Sequence, residues 1–349
     1  MPACFAALRR HVGLEPRATR SGAIPTNSQQ PRQRWQDDPA PVLAWGVGTN
    51  WARGGVVRLL LSLALLAGCG SDDDNGDSAA EPRPIAVLSA FPAELASVLA
   101  QAEVEETQVV EGRIVRTGTI GGVPVVMAMT GIGLLNAAAT TNIILDNFDV
   151  VGVVVSGVAG SPRRVGDVVV PRSWSELSGE PFPTDPQWLA RIQRLARAGR
   201  FALERCTTVR NDPVCLGFDP QVFVEGAGSS SDDFGALPFK CSPNGGAVFG
   251  CDVPNADDVP RAAAVQRLVH AAQTATDPEE PSSVDMETAA IGAAATRHGV
   301  PYVAFRAVSD GAQDPLNLPG FPAQFFAYYP LAAENAARAA ATFVADLKQ

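Results

Sequence analysis

The sequence predicts an α/β fold built on a mixed sheet, and three observations carry that expectation. Residues 284–310, VDMETAAIGAAATRHGVPYVAFRAVSD, read as strand, helix and strand with an acidic residue near each strand end. Continuous apolar runs at Ile85–Leu88, Val150–Val155 and Tyr302–Val308 have the composition of strands buried on both faces, as parallel strands between helix layers are. Residues 112–120 and 123–129 alternate around Gly121-Gly122, which reads as an antiparallel hairpin.

Ahead of these elements, residues 1–55 show no sustained period and mix Arg, Pro, Gln and Ser. Such a composition buries too little apolar surface to offset its ordering entropy. Residues 53–69, RGGVVRLLLSLALLAGC, then place two arginines before a Leu/Ala run that is too short for a bilayer and ends in small residues. That is the pattern of a secretory signal peptide, and the acidic GSDDDNGDSAAEPRP behind it reads as a solvated tether. Some fifty residues precede the signal. Initiation is therefore expected at Val56 or Val57 through a GTG codon, with one long signal sequence as the alternative. The expected organisation is an untranslated or disordered upstream segment at 1–55, a signal peptide at 56–68, a tether at 69–83 and a folded domain at 84–349.

Removing residues 1–68 takes eight Arg and three acidic residues from 27 basic and 37 acidic ones, leaving 19 against 34 and a net charge of −15. A surface of that sign repels phosphates, and Arg163-Arg164 is the main basic cluster left, so no nucleic-acid partner is expected. Besides Cys69, the exported portion keeps Cys206, Cys215, Cys241 and Cys251, an even set that implies two disulfides. Of three possible pairings, proximity favours Cys206 with Cys215 and Cys241 with Cys251. No CxxC spacing occurs and the remaining histidines are His270 and His298, so no metal is expected.

Along the folded part, Pro92–Leu99 reads as a helix with Pro in its first turn, which puts Glu94 just past a strand end. The hairpin's second strand runs into Thr130-Gly131-Ile132-Gly133 and the helical LLNAAATTNIILDNF. Glycines there allow close backbone approach to a ligand, and the helix N-terminus favours an anion or a polar oxygen. Val150–Val155 leads into a Gly/Ala loop, Ser156–Gly160, and then VGDVVVP at 165–171. Residues 186–200 form an amphipathic helix, residues 221–226 a core strand, and about 204–258 a Cys-containing insertion. An Ala-rich helix at 288–297, small on every face, is closed by His298-Gly299. The strand that follows is interrupted only by Arg306 and ends in Ser309 and Asp310. A last helix is expected from about Leu331, with Phe325, Phe326, Tyr328 and Tyr329 ahead of it as pocket cover or core. Ligands of open α/β sheets bind beyond the carboxyl ends of strands, so Glu287 and Asp310 are expected to converge there.

Four segments, in order over residues 84–349, resemble the purine nucleoside phosphorylase and methylthioadenosine/S-adenosylhomocysteine nucleosidase superfamily. They are the acidic strand-to-helix entry at Glu94, the GIG with its Asn-Ala-Ala helix, the Gly/Ala loop with VGDVVVP, and VDMETAAIG with VPYVAFRAVSD. The resemblance implies a three-layer αβα fold with a central mixed twisted sheet, a small nucleoside substrate, no cofactor, and a homo-oligomer, dimer or larger. By the same resemblance Asp310, beside Ser309, is the acid for the purine leaving group, and Glu94 activates water. Glu287 grips the ribose hydroxyls, Met286 packs on the sugar, Val158, Ala159 and Gly160 line base and ribose, and Gly131 and Gly133 approach the ligand. A Phe from the insertion stacks on the base; Phe249 and Phe234 are the candidates, and spacing to Glu287 favours Phe249. Two departures stand out: the family's acids before Glu94 are here Pro92 and Ala93, and Val158 replaces a frequent Ser or Cys. The insertion is similar to a secreted branch that includes plant bark storage proteins. Leu66-Ala67-Gly68-Cys69 resembles the bacterial lipoprotein box, which implies a lipidated Cys69 and a membrane anchor on the periplasmic face of the envelope, at the outer membrane in a Gram-negative cell.

Phosphorolysis needs guanidinium groups on a phosphate dianion, and hexameric phosphorylases carry an Arg where this chain has Val153-Val154-Val155; Arg163 and Arg164 read as surface residues. Hydrolysis needs an acid and a base on opposite sides of the sugar, which Asp310 and Glu94 supply. The expected function is thus an exported, lipid-anchored purine nucleosidase. The alternatives are a nucleoside phosphorylase and a non-catalytic nucleoside-binding lipoprotein serving uptake.

Overall fold

The computed structural model describes residues 82–176, 179–232, 234, 237–252 and 281–348. The signal peptide, Cys69, nearly all of the acidic tether and His270 lie outside the described residues.

Strand β1 (Ile85–Ser89) is buried throughout, and its residues divide between the two faces of the sheet. Ile85 and Val87 join one apolar cluster while Ala86 and Leu88 join the other. Helix α1 (Pro92–Leu99) follows with Pro at its amino end, as the sequence predicts. Strands β2 (Glu103–Val110), β3 (Arg113–Ile120) and β4 (Val123–Met129) form an antiparallel meander. The turn between β3 and β4 is the expected Gly121-Gly122. Helix α2 (Leu134–Asn147) leads to β5 (Gly152–Arg164), then β6 (Val168–Val170), β7 (Ser173–Glu176) and β8 (Phe182–Pro183). Helix α3 (Pro186–Arg197) is capped by Asp185, whose carboxylate accepts from Trp188 N at 2.8 Å. Strands β9 (Cys206–Val209), β10 (Asp212–Cys215), β11 (Val222–Val224) and β12 (Gly228–Ser230) and the short helix α4 (Gly246–Phe249) make up the region of the expected insertion. The chain closes with β13 (Ser283–Asp285), α5 (Thr288–His298), β14 (Tyr302–Ala312) and α6 (Ala323–Asp346).

Among the described residues one sheet of 12 strands has the order β2-β3-β4-β1-β5-β13-β12-β7-β8, with β14 beside β5 and β6, and β11 beside β6. β1 is parallel to both β4 and β5, and β14 is parallel to β5, so four carboxyl strand ends lie side by side. One face packs on α1, α3 and α6, the other on α2 and α5. This is the expected three-layer αβα arrangement with a mixed sheet. Along β14, Val303, Phe305 and Ala307 face the first layer, and Tyr302 and Ala304 face the second.

Three expectations about elements need correction. Residues 156–160 are strand, not loop: β5 stays in register with β14 from Val153 with Tyr302 to Ala159 with Val308. The backbone ladder satisfies the Gly/Ala stretch that side chains alone would leave irregular. β14 likewise runs beyond Val308 to Ala312, with register breaks after Val308 and after Asp310. Helix α6 begins at Ala323 rather than about Leu331, with Pro330 inside it. The turns before the proline are held by Phe325 and Tyr329 against Phe91 and by the Tyr328 hydroxyl, which donates to Asp314. Those contacts offset the hydrogen bond that Pro330 cannot donate.

Both favoured disulfides are present. Cys206–Cys215 staples β9 to β10, and Cys241–Cys251 closes the segment that contains α4.

Candidate active site

Arg306 is the residue at which the site converges, and the sequence reading did not assign it a role. On β14 it continues the face of Tyr302 and Ala304, which points to α5, and only 1% of its side-chain surface is exposed. A guanidinium buried that deeply requires anionic partners. Nε lies 2.7 Å from Asp285 Oδ2 and Nη2 lies 3.3 Å from Glu287 Oε2, both at the amino end of α5. Nη1 approaches Glu94 Oε1 at 3.7 Å and donates to the Val158 carbonyl at 3.3 Å. Three carboxylates thus share one cation.

Each carboxylate is also fixed by donors. Glu94 on α1 accepts from the amides of Ala90 and Val158, each at 2.7 Å. Gly157, between β5 and these groups, has to be glycine: a Cβ there would lie 2.1 Å from Arg306 Nη1 and 2.6 Å from Glu94 Oε1. Glu287 accepts from Gly133 N at 3.0 Å. That amide is presented by a backbone φ of 95° at the start of α2, a region that favours glycine. Asp285 accepts from the amides of Glu287 and Thr288 at 3.2 Å and from the hydroxyls of Ser230 and Thr288.

Burial dominates the electrostatics. It pushes the Glu94 carboxyl up to about 7, against the opposing pull of Arg306 and the amides. It also raises Glu287, assisted by the neighbouring charges of Asp285 and Glu94. Asp310 is raised by burial too, with the Ser309 hydroxyl donating to its Oδ1 at 2.7 Å and lowering it somewhat.

Asp310 stands two strands from β1, beside Gly160; a Cβ on Gly160 would be 2.8 Å from Asp310 Oδ2. Ser309 also reaches the Ala159 carbonyl at 3.4 Å. The end of β14 behind Asp310 is tied to α6, because Gly311 N donates to Gln324 Oε1 at 2.9 Å. Glu94, Glu287, Ser309 and Asp310 are therefore brought to one edge of the sheet, with Met286 half-buried between Asp285 and Glu287. Val158 enters through its backbone, holding Glu94 and Arg306, while its side chain is in the core.

Both candidate aromatics lie near these groups. Phe234 packs at the amide that holds Glu287, where a Cβ on Gly133 would lie 2.9 Å from its ring. Phe249 sits farther along a chain of rings, 6.1 Å from Phe239, which is itself 4.9 Å from Phe234. β12 runs beside β13, with Ser231 N donating to the Asp285 carbonyl, and Asp232 accepts from Leu134 N at 2.6 Å, which puts Phe234 at the start of α2; Phe249, which spacing to Glu287 favours, lines a cleft with Phe91, Gly131 and Ile132. Arg163 and Arg164, expected at the surface, are half-buried: Arg163 pairs with Glu225 and stacks on Phe223, and Arg164 pairs with Asp167 and stacks on Phe218. Among the described residues no group of three or more His, Cys, Asp or Glu is placed to hold a metal.

Comparison with known proteins agrees with this architecture. The profile of the phosphorylase superfamily matches residues 84–345. An uncharacterized protein of Mycobacterium tuberculosis (strain ATCC 25618 / H37Rv) is 38% identical over 227 residues, 56% of this chain and 88% of its own length. A 5′-methylthioadenosine/S-adenosylhomocysteine nucleosidase of Geobacillus thermodenitrificans is 36% identical over 88 residues, 24% of this chain and 37% of that protein. Among solved structures, futalosine hydrolase of Helicobacter pylori superposes with a TM-score of 0.52 at 18% identity, covering 76% of this chain and 98% of that one. A 5′-methylthioadenosine/S-adenosylhomocysteine nucleosidase of Neisseria meningitidis, in complex with methylthio-immucillin-A, gives 0.51 at 21% identity, covering 76% and 99%. At such identities the superpositions establish the fold. Since the profile spans every strand and helix that carries Glu94, Glu287, Arg306 and Asp310, the chain belongs to the phosphorylase superfamily.

Proposed function

We propose that the protein is a purine nucleosidase that hydrolyses the N-glycosidic bond of a nucleoside, exported and held at the cell envelope by a lipid on Cys69. The observation that carries the reading is the placement of Glu94 and Asp310 at carboxyl strand ends on either side of β5, each with its carboxyl raised by burial. Leaving-group departure creates an oxocarbenium-like sugar. Asp310 gives its proton to the departing purine, and Glu94 takes one from the water that adds to the sugar carbon. Glu287, set by Gly133 N and Arg306, accepts from the ribose hydroxyls.

Hydrolysis is favoured over phosphorolysis because Arg306 is committed to three carboxylates, and Arg163 and Arg164 to Glu225 and Asp167. The solved structures it resembles include a futalosine hydrolase and several nucleosidases, which supports the same choice. The test is to incubate the detergent-purified protein with a nucleoside panel, with and without phosphate. Free base without phosphate supports the reading. Phosphate-dependent release giving a sugar 1-phosphate makes it a phosphorylase, and binding without cleavage makes it a carrier. Anchoring is tested separately: Cys69→Ala should move the protein out of the membrane fraction.

A further inference from the structure

Arg113 is the first residue of β3, two positions before Val115, whose partner on β4 is Ala128. It therefore stands beside the carboxyl end of β4, on the opposite side of the site from Asp310. Its side chain lines a cleft with Phe91, Gly131, Ile132, Cys241 and Phe249. Its neighbour in sequence, Arg116, is bound by both oxygens of Asp252 at 2.8 and 2.7 Å. Arg113 has no such partner: no hydrogen bond, ion pair or ring contact engages it among the described residues. It is half-buried, and burial lowers its pKa, with no opposing carboxylate among the described residues. A guanidinium stays charged even so, and a partly desolvated cation without a counter-charge is unfavourable until an anion reaches it.

The order of groups along the sheet edge gives the ligand a direction. Asp310 on β14 marks the base, Glu94 and Glu287 near β1 and β4 mark the sugar, and Arg113 on β3 lies beyond the sugar. Four strand spacings separate β14 from β3, roughly 19 Å between backbones, which the side chains at each end shorten to the scale of a substituted nucleoside. On a chain of net charge −10, a cation in the cleft also draws anions selectively.

We infer that Arg113 is a specificity residue that receives an anionic group, carboxylate or phosphate, carried beyond the 5′ carbon of the nucleoside. The planar fork of donors suits either anion in a two-point contact. The inference rests on the nucleosidase reading for the direction in which the ligand lies.

The experiment compares kcat/KM of the full-length protein for three substrates: methylthioadenosine, a 5′-carboxyalkylthio-adenosine, and adenosine 5′-monophosphate. One of the two anionic substrates should exceed the neutral one by roughly 10- to 100-fold, and which one identifies the anion. Arg113→Gln should bring that ratio close to one, and Arg113→Lys, which keeps charge but loses the fork, should give an intermediate ratio. A wild-type ratio near one, or a ratio that Arg113→Gln leaves unchanged, overturns the inference. Inorganic phosphate forms a further arm: if it accelerates cleavage and Arg113→Gln abolishes the acceleration, Arg113 serves free phosphate and both readings fall. Where no substrate is cleaved, the hydrolase reading fails alone, and calorimetric binding of the same three nucleosides to wild type and Arg113→Gln decides the inference by the same ratio.

Discussion

Arg306 Nε lies 2.7 Å from Asp285 Oδ2, a pairing between the middle of β14 and the last residue of β13 that leaves both side chains 1% exposed. The same guanidinium reaches Glu287 and Glu94, so one cation from the sheet interior sets two carboxylates that the proposed chemistry uses. Removing one partner of a buried ion pair leaves uncompensated charge. Arg306→Met should therefore lower unfolding free energy by about 3–5 kcal/mol. Arg306→Lys should fold better yet remain less active than wild type, because an ammonium cannot hold the fork of contacts. Denaturant unfolding and turnover on the two variants check this; equal stability of Arg306→Met and wild type would refute it.

Glu94 links stability to pH. Its carboxyl is raised from 4.5 to about 7 by burial, so the folded state holds this proton more tightly than the unfolded chain does. Its contribution is fully present below about 4.5 and is lost as pH rises through about 7, on the order of 3 kcal/mol in all. Glu94→Gln should abolish turnover and remove this dependence. Its stability relative to wild type should rise by about that amount between pH 4.5 and pH 8, whatever fixed offset comes from the two amides that lose an acceptor. Urea unfolding of both proteins at the two pH values measures the difference.

Asp310→Asn keeps shape and removes the transferable proton. Turnover should fall about 10²- to 10⁴-fold while the nucleoside still binds. Burial raises Asp310, so wild-type activity should decline on the alkaline side as that proton is lost, and the variant's residual activity should lack this limb. A variant with wild-type turnover would remove Asp310 from the mechanism.

The two disulfides should separate in their effects. Their sequence separations are 9 and 10 residues, so opening either should cost about 2–3 kcal/mol by loop-closure entropy. Cys241→Ser with Cys251→Ser also frees the segment whose Val248 and Phe249 line the cleft, and should raise KM. Cys206→Ser with Cys215→Ser releases only the β9–β10 hairpin, so KM should hold. Thermal melts and KM for the two pairs provide the comparison.

Local pattern determined much of this protein. The buried strands, the Gly121-Gly122 hairpin, α1 with its leading proline and α5 closed at Gly299 are each specified by neighbouring residues, because period and capping act over a few positions. Glu94, Glu287 and Asp310 were legible for the same reason: each stands where a recognisable strand gives way to the next element. Tertiary structure alone decided their grouping. Arg306 offered one clue, a charge inside a strand buried on both faces, but its partners come from α1, β13 and the start of α5, 212 to 19 positions away. The approach of Phe234 to Gly133 depends on β12 pairing with β13, and the continuation of β5 through 156–160 followed from β14 beside it. Pairing between distant strands depends on which edges meet across the whole sheet, and no window of sequence contains that information.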